Sequence, residues 1–400
     1  MKIVFLAPFG IRPKGTLIAR MLPLADELQR LGHSVTIVAP PYTNPEDSGK
    51  VETVRGVTVR NVELCGSGAL AAPGLSWRMY RAAMDEKPDI VHLFKPKGYA
   101  GLAAMILIQF RRMGIRQPLL VVDMDDWEGR GGMNDLHPYS PTEKALFQFQ
   151  EDWIPGHASA VTAASRSLQA KAWGMGIPAE RVLYLPNCVE ELPRGDGLAV
   201  RCRLGIPADA PVLLLYTRFF EFSQEKLHFL FAEICRRVPG VRLLVAGKGR
   251  NNEEVLLREA GSTMGFADAL VMAGWIEPAE IPEYLAAGNV ALYPFSDTLI
   301  NRSKCPAKLT ELLRTGVAVV ADRVGQLAEY IKPGVSGILC EPDDWQEMAD
   351  AAVALLLDPS RSSELGAAGR NYLLNTFAWG DYAVRLENLY AAALQKRMNK

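Results

Sequence analysis

The sequence predicts an α/β protein built of two Rossmann-like, doubly wound domains that face one another across a cleft. Three observations predict this fold class. The chain has 400 residues, which is more than one hydrophobic core usually organises. Short apolar runs alternate with longer segments of helical periodicity, as in parallel sheets covered by helices. The turn-rich, polar segment 187–211 interrupts this alternation, which then begins again.

The first series of apolar runs predicts the strands of an amino-terminal domain, at 2–8, 35–39, 89–93, 119–123 and 159–165. A helix is expected from about Gly15 to Leu31, ending at Gly32, because glycine readily adopts the left-handed conformation that follows many helices. The preceding loop contains Gly10 and Gly15, which would let a ligand approach the backbone. That loop contains no G-x-G-x-x-G, so the main sequence evidence for binding of a nicotinamide cofactor is missing.

A second series of apolar runs predicts another parallel sheet, with strands at 212–218, 241–247, 269–275, 289–294 and 317–322. We therefore expect one domain over 1–190 and another over 191–376. The tail 377–400 has helical periodicity, with Leu386 and Tyr390 on its apolar face. It is expected to be a helix that crosses back to the first domain.

Charge and composition argue against several classes of protein. Lysine plus arginine (44) nearly balances aspartate plus glutamate (45), which argues against nucleic acid as a partner. The six cysteines and five histidines are dispersed, so neither a disulfide framework nor a zinc site is indicated. A cytoplasmic location is expected. No run approaches the ~18 apolar residues that span a bilayer, so membrane association would be peripheral, at the inner membrane surface.

One predicted helix carries side chains of the kind found in membrane-touching helices. Trp77 and Tyr80 lie in it beside Arg78 and Arg81. The alternative is that the aromatic rings pack in the core and the arginines are ordinary surface residues.

The segment 290–322 predicts a strand, a long loop, a helix and a strand, with polar residues concentrated where the helix begins. Pro306 suits a first helical position, and the amides of Ala307 and Lys308 would lie beside the positive end of the helix dipole, where phosphate binds well. Lys308 and Glu311 share a helical face. A cation for phosphate and a carboxylate for ribose hydroxyls could thus serve one nucleotide sugar. The alternative is an ordinary capped helix whose side chains face water.

The same segment resembles the signature of retaining glycosyltransferase family 4, in which two glutamates precede an EAMAAGxPVVA-like run. Glu311 followed by LLRTGVAVVAD matches the second half, whereas Ser303 stands where the first glutamate is expected. The chain is more similar to a sub-pattern, NRSKxxPxKLxE. The resemblance covers nearly the whole chain and implies the GT-B fold, with the acceptor bound by the first domain and the nucleotide sugar by the second. The resemblance also implies that Ser303 is one of the residues that bind the donor.

The resemblance also implies roles for residues that follow other strands of the second domain. Arg218 and Lys226 match an arginine and a lysine that hold the pyrophosphate and stabilise the charge that grows on it as the sugar leaves. Gly247, and Gly274 with Trp275, match positions where the backbone approaches the base and ribose. Without the resemblance, the two cations are explained as surface charges and the glycines as plain turns.

Acidic residues are concentrated after the fourth predicted strand, in the run LLVVDMDDWEGRGGMND. Asp123, Asp125, Asp126 and Glu128 could bind a divalent metal, act as a general acid–base pair or bind acceptor hydroxyls, and the residues alone leave these alternatives open. By resemblance, Asp125 stands where many family members carry a histidine beside the donor sugar. Asp126 follows it on the same side.

His92 ends the third predicted strand, at a position where the family often has a histidine, and Lys95 and Lys97 follow in the same loop. The resemblance implies that His92 contacts the acceptor or the donor sugar. Packing in the core is the alternative. Glu151 also matches a family glutamate, but an exposed helical glutamate would explain it as well.

Together these expectations describe a metal-independent, retaining glycosyltransferase that needs no cofactor besides its nucleoside-diphosphate sugar. The resemblance implies Asp125, Arg218 and Lys226 as catalytic residues and a glycan, lipid-linked or small-molecule acceptor. One alternative is a non-catalytic nucleotide-sugar-binding protein, because Ser303 and Asp125 depart from the family pattern. A nicotinamide-dependent oxidoreductase, which would share the fold, is the other.

Overall fold

The computed structural model describes residues 1–12, 17–66 and 71–398, and the chain divides into two compact units. The first unit comprises Met1–Cys188, Ser303–Cys305 and Phe377–Lys400. The second comprises Val189–Arg302 and Pro306–Thr376. Each unit has its own sheet and its own hydrophobic core, so each is a Rossmann-like α/β domain as predicted.

The described residues of the first unit form an eight-stranded sheet. Its strands are β1 (Lys2–Leu6), β2 (Ser34–Ala39), β3 (Val51–Val54), β4 (Val57–Asn61), β5 (Ile90–Phe94), β6 (Leu119–Met124), β7 (Ala160–Ala163) and β8 (Val182–Tyr184). Their order is β3-β4-β2-β1-β5-β6-β7-β8, parallel throughout except for the β3–β4 hairpin. The direction of winding reverses between β1 and β5. Doubly wound sheets bind ligands at the carboxyl ends of strands beside such a reversal.

The strands predicted for this unit are confirmed, whereas β3, β4 and β8 were missed. The hairpin strands, VETV and VTVRN, contain at least as many polar as apolar residues. Neither therefore contains the continuous apolar run by which the other strands were predicted. The turn between them is Arg55-Gly56, and both residues have positive φ (53° and 81°). Such a two-residue turn matches the twist of the strands that it joins.

Helices connect these strands in the expected α/β alternation. They are α1 (Leu22–Arg30), α2 (Ala72–Asp85), α3 (Gly98–Arg112), α4 (Pro141–His157) and α5 (Arg166–Gly174). A π-helical turn, Leu17–Met21, leads into α1. The predicted end of this helix is confirmed, because Gly32 follows it with a φ of 87°. The predicted start at Gly15 lies outside the described residues.

The second unit contains a six-stranded parallel sheet. Its strands are β9 (Val212–Tyr216), β10 (Arg242–Ala246), β11 (Leu270–Gly274), β12 (Val290–Tyr293), β13 (Ala318–Asp322) and β14 (Ile338–Cys340). Their order is β11-β10-β9-β12-β13-β14, so the winding reverses between β9 and β12. The strands predicted for this unit are confirmed, and β14 is additional.

The helices of this second half are α6 (Gly197–Arg203), α7 (Gln224–Arg237), α8 (Glu253–Met264), α9 (Ile281–Ala286), α10 (Leu299–Ser303), α11 (Ala307–Thr315), α12 (Leu327–Tyr330), α13 (Trp345–Leu357) and α14 (Pro359–Thr376). The core is built where the leucines of β9 and β10 meet α7 and α13. Strands covered on both faces need continuous apolar sequence, which VLLLY and RLLVA supply.

The last helix, α15 (Trp379–Met398), belongs to the first unit, where it packs on α1, β7 and β8. Its predicted apolar face is confirmed, since Leu386 and Tyr390 are fully buried.

Candidate functional site

A pocket lies in the second unit at the carboxyl ends of β9 and β12, the strands between which the winding reverses. Its lining comes from these two strands, the loops that follow them and the first turn of α11: Leu215, Tyr216, Thr217, Glu221, Phe222, Leu292, Tyr293, Pro294, Phe295 and Lys308. The topology of the sheet therefore places a concave surface where α/β proteins bind their ligands.

Tyr216 connects the two helical residues that the sequence singled out. The Nζ of Lys308 lies 3.8 Å from the centre of the Tyr216 ring, and the Tyr216 hydroxyl donates a 2.9 Å hydrogen bond to Oε2 of Glu311. Burial and the Glu311 carboxylate raise the pKa of Tyr216, so the phenol stays protonated and keeps its bond to Glu311. The structure thus brings Lys308 and Glu311 together through a tyrosine that the sequence analysis missed. Its one signal was a phenol ending an otherwise apolar strand.

α11 begins one residue later than the sequence predicts. Pro306 is its N-cap, with φ −76° and ψ 102°, and Ala307 is the first helical residue. The helix buries Leu309 against the unit, which fixes its rotation and leaves Lys308 lining the pocket. The positive end of its dipole therefore lies at the pocket, where it favours an anion.

Arg218 follows β9 in a strained turn. It is exposed, and the next residue, Phe219, has a φ of +67° while its amide donates a 2.7 Å hydrogen bond to the hydroxyl of Thr217. A positive φ in a bulky residue costs on the order of 1 kcal/mol and is often found at functional turns. The charge of Arg218 acts on the phenols of Tyr216 and Tyr293, so it lies beside the pocket.

Lys226 is paired inside the second unit, and its contact with the pyrophosphate stays a prediction. Its buried Nζ donates to Oδ1 of Asp322 at 2.6 Å and to the carbonyl of Pro342 at 2.8 Å. Asp322 also accepts a 2.6 Å bond from the amide of Phe295, which lines the pocket. Burial, partly offset by Lys226, raises the pKa of Asp322 to about 6. Lys226 therefore supports the wall of the pocket.

The glycines predicted to approach a base end β10 and β11. Gly247 has a φ of 132°, and a side chain there would overlap the carbonyl oxygen of Thr217, so the fold itself requires this glycine. Its amide donates a 2.7 Å bond to the carbonyl of Gly274. Gly274 has a φ of 70° and open space beside its Cα, and Trp275 after it is exposed. Of the three predicted residues, Gly274 and Trp275 present a surface that a base could reach.

In the first unit, a cluster of charges forms where β5 and β6 end. The Nζ of Lys95 lies 3.4 Å from Oδ2 of Asp125 and 3.2 Å from Oε1 of Glu128, and it also contacts the carboxylate of Asp126. Burial disfavours the charged form of Lys95, but Asp126, Asp125 and Glu128 outweigh it and hold its pKa well above the usual range. Burial raises the pKa of Asp126 despite the neighbouring Lys95. The structure thus brings Asp125 and Asp126 together around one lysine.

Glu151 organises the loop that carries these carboxylates. From α4 it accepts hydrogen bonds from the amides of Glu128 (2.9 Å) and Gly129 (2.7 Å), and its carboxylate lies 2.8 Å from the Nζ of Lys171. Lys97 binds the Glu128 carboxylate at 2.9 Å. The expectation of an exposed helical glutamate is wrong, because Glu151 is buried. The sequence signal that could have identified it was its match to a family glutamate.

His92 lies inside the first unit, and its predicted contact with acceptor or sugar is wrong. The side chain is fully buried on β5, with Nδ1 2.7 Å from the Tyr390 hydroxyl and Nε2 3.3 Å from Oγ1 of Thr162. Burial, reinforced by the charge of Arg20, lowers the pKa of His92 well below its ordinary value, so the ring is neutral. His92 therefore packs in the core of the first unit, which was the alternative interpretation.

Asp123, the first acid of the predicted run, is also internal. Arg20 binds it with two hydrogen bonds, Nε to Oδ2 at 2.8 Å and Nη2 to Oδ1 at 2.7 Å. The same guanidinium donates to the carbonyl of Leu185 at 2.6 Å and to Oδ1 of Asn187 at 3.2 Å. Arg20 therefore ties the entrance of α1 to the ends of β6 and β8. The sequence analysis missed it because a single helical arginine carries no signal of burial.

Gly10 and Ser303, two further predicted donor residues, belong to the first unit and are not among the residues that line the pocket of the second unit. A side chain on Gly10 would overlap the amide oxygen of Asn44, so that space is already occupied within the first unit. Gly15 lies outside the described residues. Ser303 is buried and belongs to the first unit, where its carbonyl accepts a 2.7 Å bond from the hydroxyl of Ser165.

Metal-binding clusters and membrane-spanning helices are both absent from the described part of the chain. Within residues 1–12, 17–66 and 71–398, no group of three or more histidine, cysteine, aspartate or glutamate side chains is arranged to hold a metal ion. Across the same residues, no helix is both long and apolar enough to cross a membrane.

Both halves of the chain match known families. Residues 15–188 match the glycosyl transferase 4-like domain, and residues 210–358 match the glycosyl transferases group 1. Together the two matches take in most of the sequence. Both matched segments are therefore similar to glycosyltransferase domains.

The chain has several named relatives. A GDP-mannose-dependent alpha-(1-6)-phosphatidylinositol monomannoside mannosyltransferase of Mycolicibacterium smegmatis is 28% identical over 251 residues, which are 61% of this chain and 65% of the relative. A D-inositol 3-phosphate glycosyltransferase of Acidothermus cellulolyticus is 28% identical over 267 residues, 61% of this chain and 57% of that protein. The chain thus spans less than two thirds of either relative. A phosphatidyl-myo-inositol mannosyltransferase of M. smegmatis is 22% identical over 395 residues, 98% of this chain and 93% of the relative.

Solved structures agree on the fold of the chain. A sucrose-phosphate synthase from Thermosynechococcus elongatus superposes with a TM-score of 0.76 at 19% identity, covering 99% of both chains. HepE of Anabaena, solved with UDP and glucose, gives a TM-score of 0.73 at 18% identity, covering 98% of this chain and 100% of that one. The predicted GT-B fold class is confirmed.

Proposed function

We propose that this glycosyltransferase moves a sugar from a nucleoside-diphosphate sugar to an acceptor hydroxyl, with retention of anomeric configuration and without a metal ion. The observation that carries the proposal is the Tyr216–Lys308–Glu311 arrangement at the reversal of the second sheet. It combines a cation, a helix amino end and a carboxylate in one place, and a nucleoside diphosphate needs all three. The two family matches and the relatives' names support transfer of a sugar.

The donor would bind to the second unit. Lys308, Arg218 and the first turn of α11 would hold the pyrophosphate, because they bring positive charge to one end of the pocket. Glu311 would accept hydrogen bonds from the ribose hydroxyls, with Tyr216 keeping its carboxylate in position. Gly274 and Trp275 would lie along the base. Lys226 would act indirectly, through Asp322.

The proposed reaction is a front-side displacement. The bond between the anomeric carbon of the sugar and the phosphate oxygen breaks, and the acceptor oxygen bonds to that carbon on the same face. The acceptor proton passes to the leaving phosphate. Arg218 and Lys308 stabilise the negative charge that the phosphate gains, which is where electrostatic catalysis contributes most.

The acceptor would bind to the first unit, with Asp125 on the sugar side and Asp126 beside it. Carboxylates held by Lys95 can accept hydrogen bonds from vicinal hydroxyls without moving. The names of the relatives mention phosphatidylinositol mannosides and inositol 3-phosphate, which supports an acceptor rich in hydroxyl groups, such as an inositol or a glycan.

A panel of nucleoside diphosphates and their sugars tests the proposal by thermal shift, followed by hydrolysis and transfer assays on each ligand that binds. We expect ADP, GDP or UDP to raise the melting temperature, and its sugar to be hydrolysed slowly without an acceptor. Added EDTA should leave both results unchanged. Binding without hydrolysis or transfer would identify a non-catalytic nucleotide-sugar-binding protein. Stabilisation by NADH and by no nucleoside diphosphate would refute the proposal.

A further inference from the structure

Three tyrosines of the first unit lie at the carboxyl-terminal edge of its sheet. Tyr42 follows β2, Tyr99 is in the first turn of α3 after β5, and Tyr139 lies in the loop between β6 and α4. Because β2, β5 and β6 all run parallel to β1 or to one another, their carboxyl ends share one edge of the sheet. β5 also borders the reversal of winding, beside which doubly wound sheets bind their ligands.

The three tyrosines are neighbours, and each is partly accessible to solvent. Tyr42 meets Tyr99 edge to face, with the ring centres 5.5 Å apart. Burial, and then the neighbouring phenols of Tyr139 and Tyr99, raise the pKa of Tyr42, so its hydroxyl stays protonated. Tyr42 is 39% exposed, and the other two tyrosines are half-buried. We call these three residues the tyrosine platform.

The two ends of the tyrosine platform are held by their surroundings. The loop of Tyr42 is fixed by the hydroxyl of Thr43, which donates a 2.6 Å hydrogen bond to the carbonyl of Arg12. Tyr139 meets the Phe147 ring of α4 edge to face at 5.1 Å. A surface whose rings are already ordered loses little conformational entropy when a ligand binds.

Lys97 joins the tyrosine platform to the acidic cluster of the first unit. Its Nζ lies 4.8 Å from the centre of the Tyr139 ring and 2.9 Å from Oε2 of Glu128. The other carboxylate oxygen of Glu128 lies 3.2 Å from the Nζ of Lys95, which is 3.4 Å from Oδ2 of Asp125. An aromatic surface and a fixed carboxylate are thus separated by one lysine side chain.

This combination of groups suits a cyclic polyol. A pyranose or cyclitol ring presents C–H groups on its faces and hydroxyls around its rim. The faces pack on aromatic rings, whose negative π-surface attracts the polarised C–H groups. The hydroxyls at the rim donate hydrogen bonds to carboxylates. An acyclic polyol has the same hydroxyls but no rigid face to lay on a ring.

We infer that the tyrosine platform binds a ring of the acceptor, and that this acceptor is a cyclic polyol, a hexopyranoside or a cyclitol. The ring lies on Tyr42 and Tyr139, with its hydroxyls directed toward the carboxylates of Asp125 and Asp126. The platform thereby selects cyclic acceptors over acyclic ones. The inference rests on the proposed transfer reaction and narrows its acceptor.

Saturation-transfer-difference NMR tests the inference without a donor. The probes are myo-inositol, the methyl glycosides of glucose, mannose and galactose, and the acyclic polyol mannitol. We expect at least one cyclic probe to receive saturation from the protein, most strongly at the C–H protons of one ring face. Mannitol at the same concentration should receive none.

Variants of Tyr42 show whether the ring binds the probe. Tyr42→Ala should weaken binding of the cyclic probe by about three- to tenfold, the value of one aromatic contact. Tyr42→Phe keeps the ring and should bind within about twofold of the wild type. In transfer assays with that probe as acceptor, Tyr42→Ala should raise KM more than it lowers kcat. If Tyr42→Ala does not fold, Tyr139→Ala takes its place with the same expected loss.

Phe149 of α4 is a matched control. It is 47% exposed and stacks on Trp153 at 5.7 Å, so it is also an exposed ring in an aromatic pair of the first unit. It lies about 200° around the helix from Phe147, which contacts the platform. Phe149→Ala should bind the probe like the wild type.

Three results would overturn the inference: no saturation of any cyclic probe, equal saturation of mannitol, or a signal that Tyr42→Ala leaves undiminished. The last result would place the polyol elsewhere and leave the tyrosines as loop packing. Failure of the transfer proposal is seen separately, because it appears as the absence of nucleoside-diphosphate binding in the thermal-shift panel. Nucleotide binding without a polyol signal would refute this inference alone.

Discussion

Single residues at the ends of β5 and β9 determine the chemistry of both charged clusters. Lys95 and Phe219 are bulky residues with positive φ (54° and 67°), a conformation that costs on the order of 1 kcal/mol each. At the end of β5 this turn places Lys95 among the carboxylates. At the end of β9 it holds Arg218 beside the pocket that Tyr216 lines. In both places backbone strain is retained where charged groups converge.

Replacing Lys308 by alanine should weaken nucleoside-diphosphate binding by about ten- to a hundredfold, the value of one charge-assisted hydrogen bond. Isothermal titration calorimetry with the nucleotide selected by the thermal-shift panel measures the change. Lys332 is a matched control, since its Nζ lies 4.3 Å above the Tyr372 ring of the same unit, away from the pocket lining. Lys332→Ala should bind like the wild type. Equal losses in the two variants would remove Lys308 from the site.

Asp322 should make the stability of the protein fall as the pH rises. Its pKa is raised from 3.8 to about 6 in the folded state, so between these values the folded protein binds the proton and the unfolded chain releases it. The stability that protonated Asp322 contributes, about 3 kcal/mol at most, is present at low pH and lost as pH rises through about 6. Urea denaturation of wild type and Asp322→Asn over this range should show the wild type losing stability relative to the variant.

Asp350 provides a control of opposite sign. Hydrogen bonds from Arg237 and Gln346 lower its pKa below 3.8, so any stability it contributes is lost as the pH falls. The difference between wild type and Asp350→Asn should stay constant near pH 6. A difference between wild type and Asp322→Asn that is also constant there would show that Asp322 does not titrate as described.

At the scale of elements, the loop after β6 is held by α4. Glu151 binds two consecutive backbone amides of this loop and the ammonium group of Lys171. Lys95 and Lys97, from the loop after β5, bind its carboxylates. Three segments therefore converge on the acidic loop, and their packing aligns Asp125 and Asp126.

Glu151→Ala should destabilise the first unit by about 3 to 5 kcal/mol, because it leaves Lys171 buried without its counter-charge and two amides without an acceptor. Urea denaturation gives the free energy of unfolding. Glu143→Ala on the same helix is the control: Glu143 completes the capping box with Ser140 at the exposed start of α4, and its loss should cost about 1 kcal/mol. A smaller effect at Glu151 than at Glu143 would contradict its structural role.

At the scale of the molecule, the two ends of the chain meet in one unit. α15 packs on α1 and on β7 and β8, and the hydroxyl of Tyr390 forms a hydrogen bond with His92, 298 residues earlier in the chain. The buried polar core of the first unit thus includes a partner from the last helix. The first unit is complete only when the chain has returned to it.

Tyr390→Phe should lower the free energy of unfolding by about 1 to 3 kcal/mol, because a buried nitrogen of His92 loses its hydrogen-bond partner. Tyr372→Phe is the control. The Tyr372 hydroxyl donates a 3.1 Å bond to the carbonyl of Glu329, but that side chain is only half-buried, so water can replace the bond. Equal losses in both variants would show that burial of the His92 partner is unimportant. Differential scanning calorimetry measures both.

Much of the fold was predictable because it depends on short segments. Buried parallel strands need continuous apolar runs, and those runs identified the principal strands of both sheets. Residues three apart on a helix share a face, and this rule paired Lys308 with Glu311 from their spacing alone. β3 and β4 were missed because their sequences lack such a run.

The misassigned residues are those whose partners are distant in sequence. Lys226 binds Asp322, which is 96 residues away in the chain, and the sequence analysis did not anticipate that pairing. His92 was expected beside a sugar, and Glu151 in water. Burial of a charged or titratable side chain depends on which elements pack around it, and no local pattern records that.

By itself the sequence determined two doubly wound domains, the strand ends where charged residues gather and the helix that carries Lys308 and Glu311. The tertiary structure alone decided which of those charged groups face a pocket and which are neutralised in the interior, as Arg20 is by Asp123. The physical reason is that apolar periodicity acts over a few residues, whereas a buried charge is tolerated only where packing delivers its counter-charge.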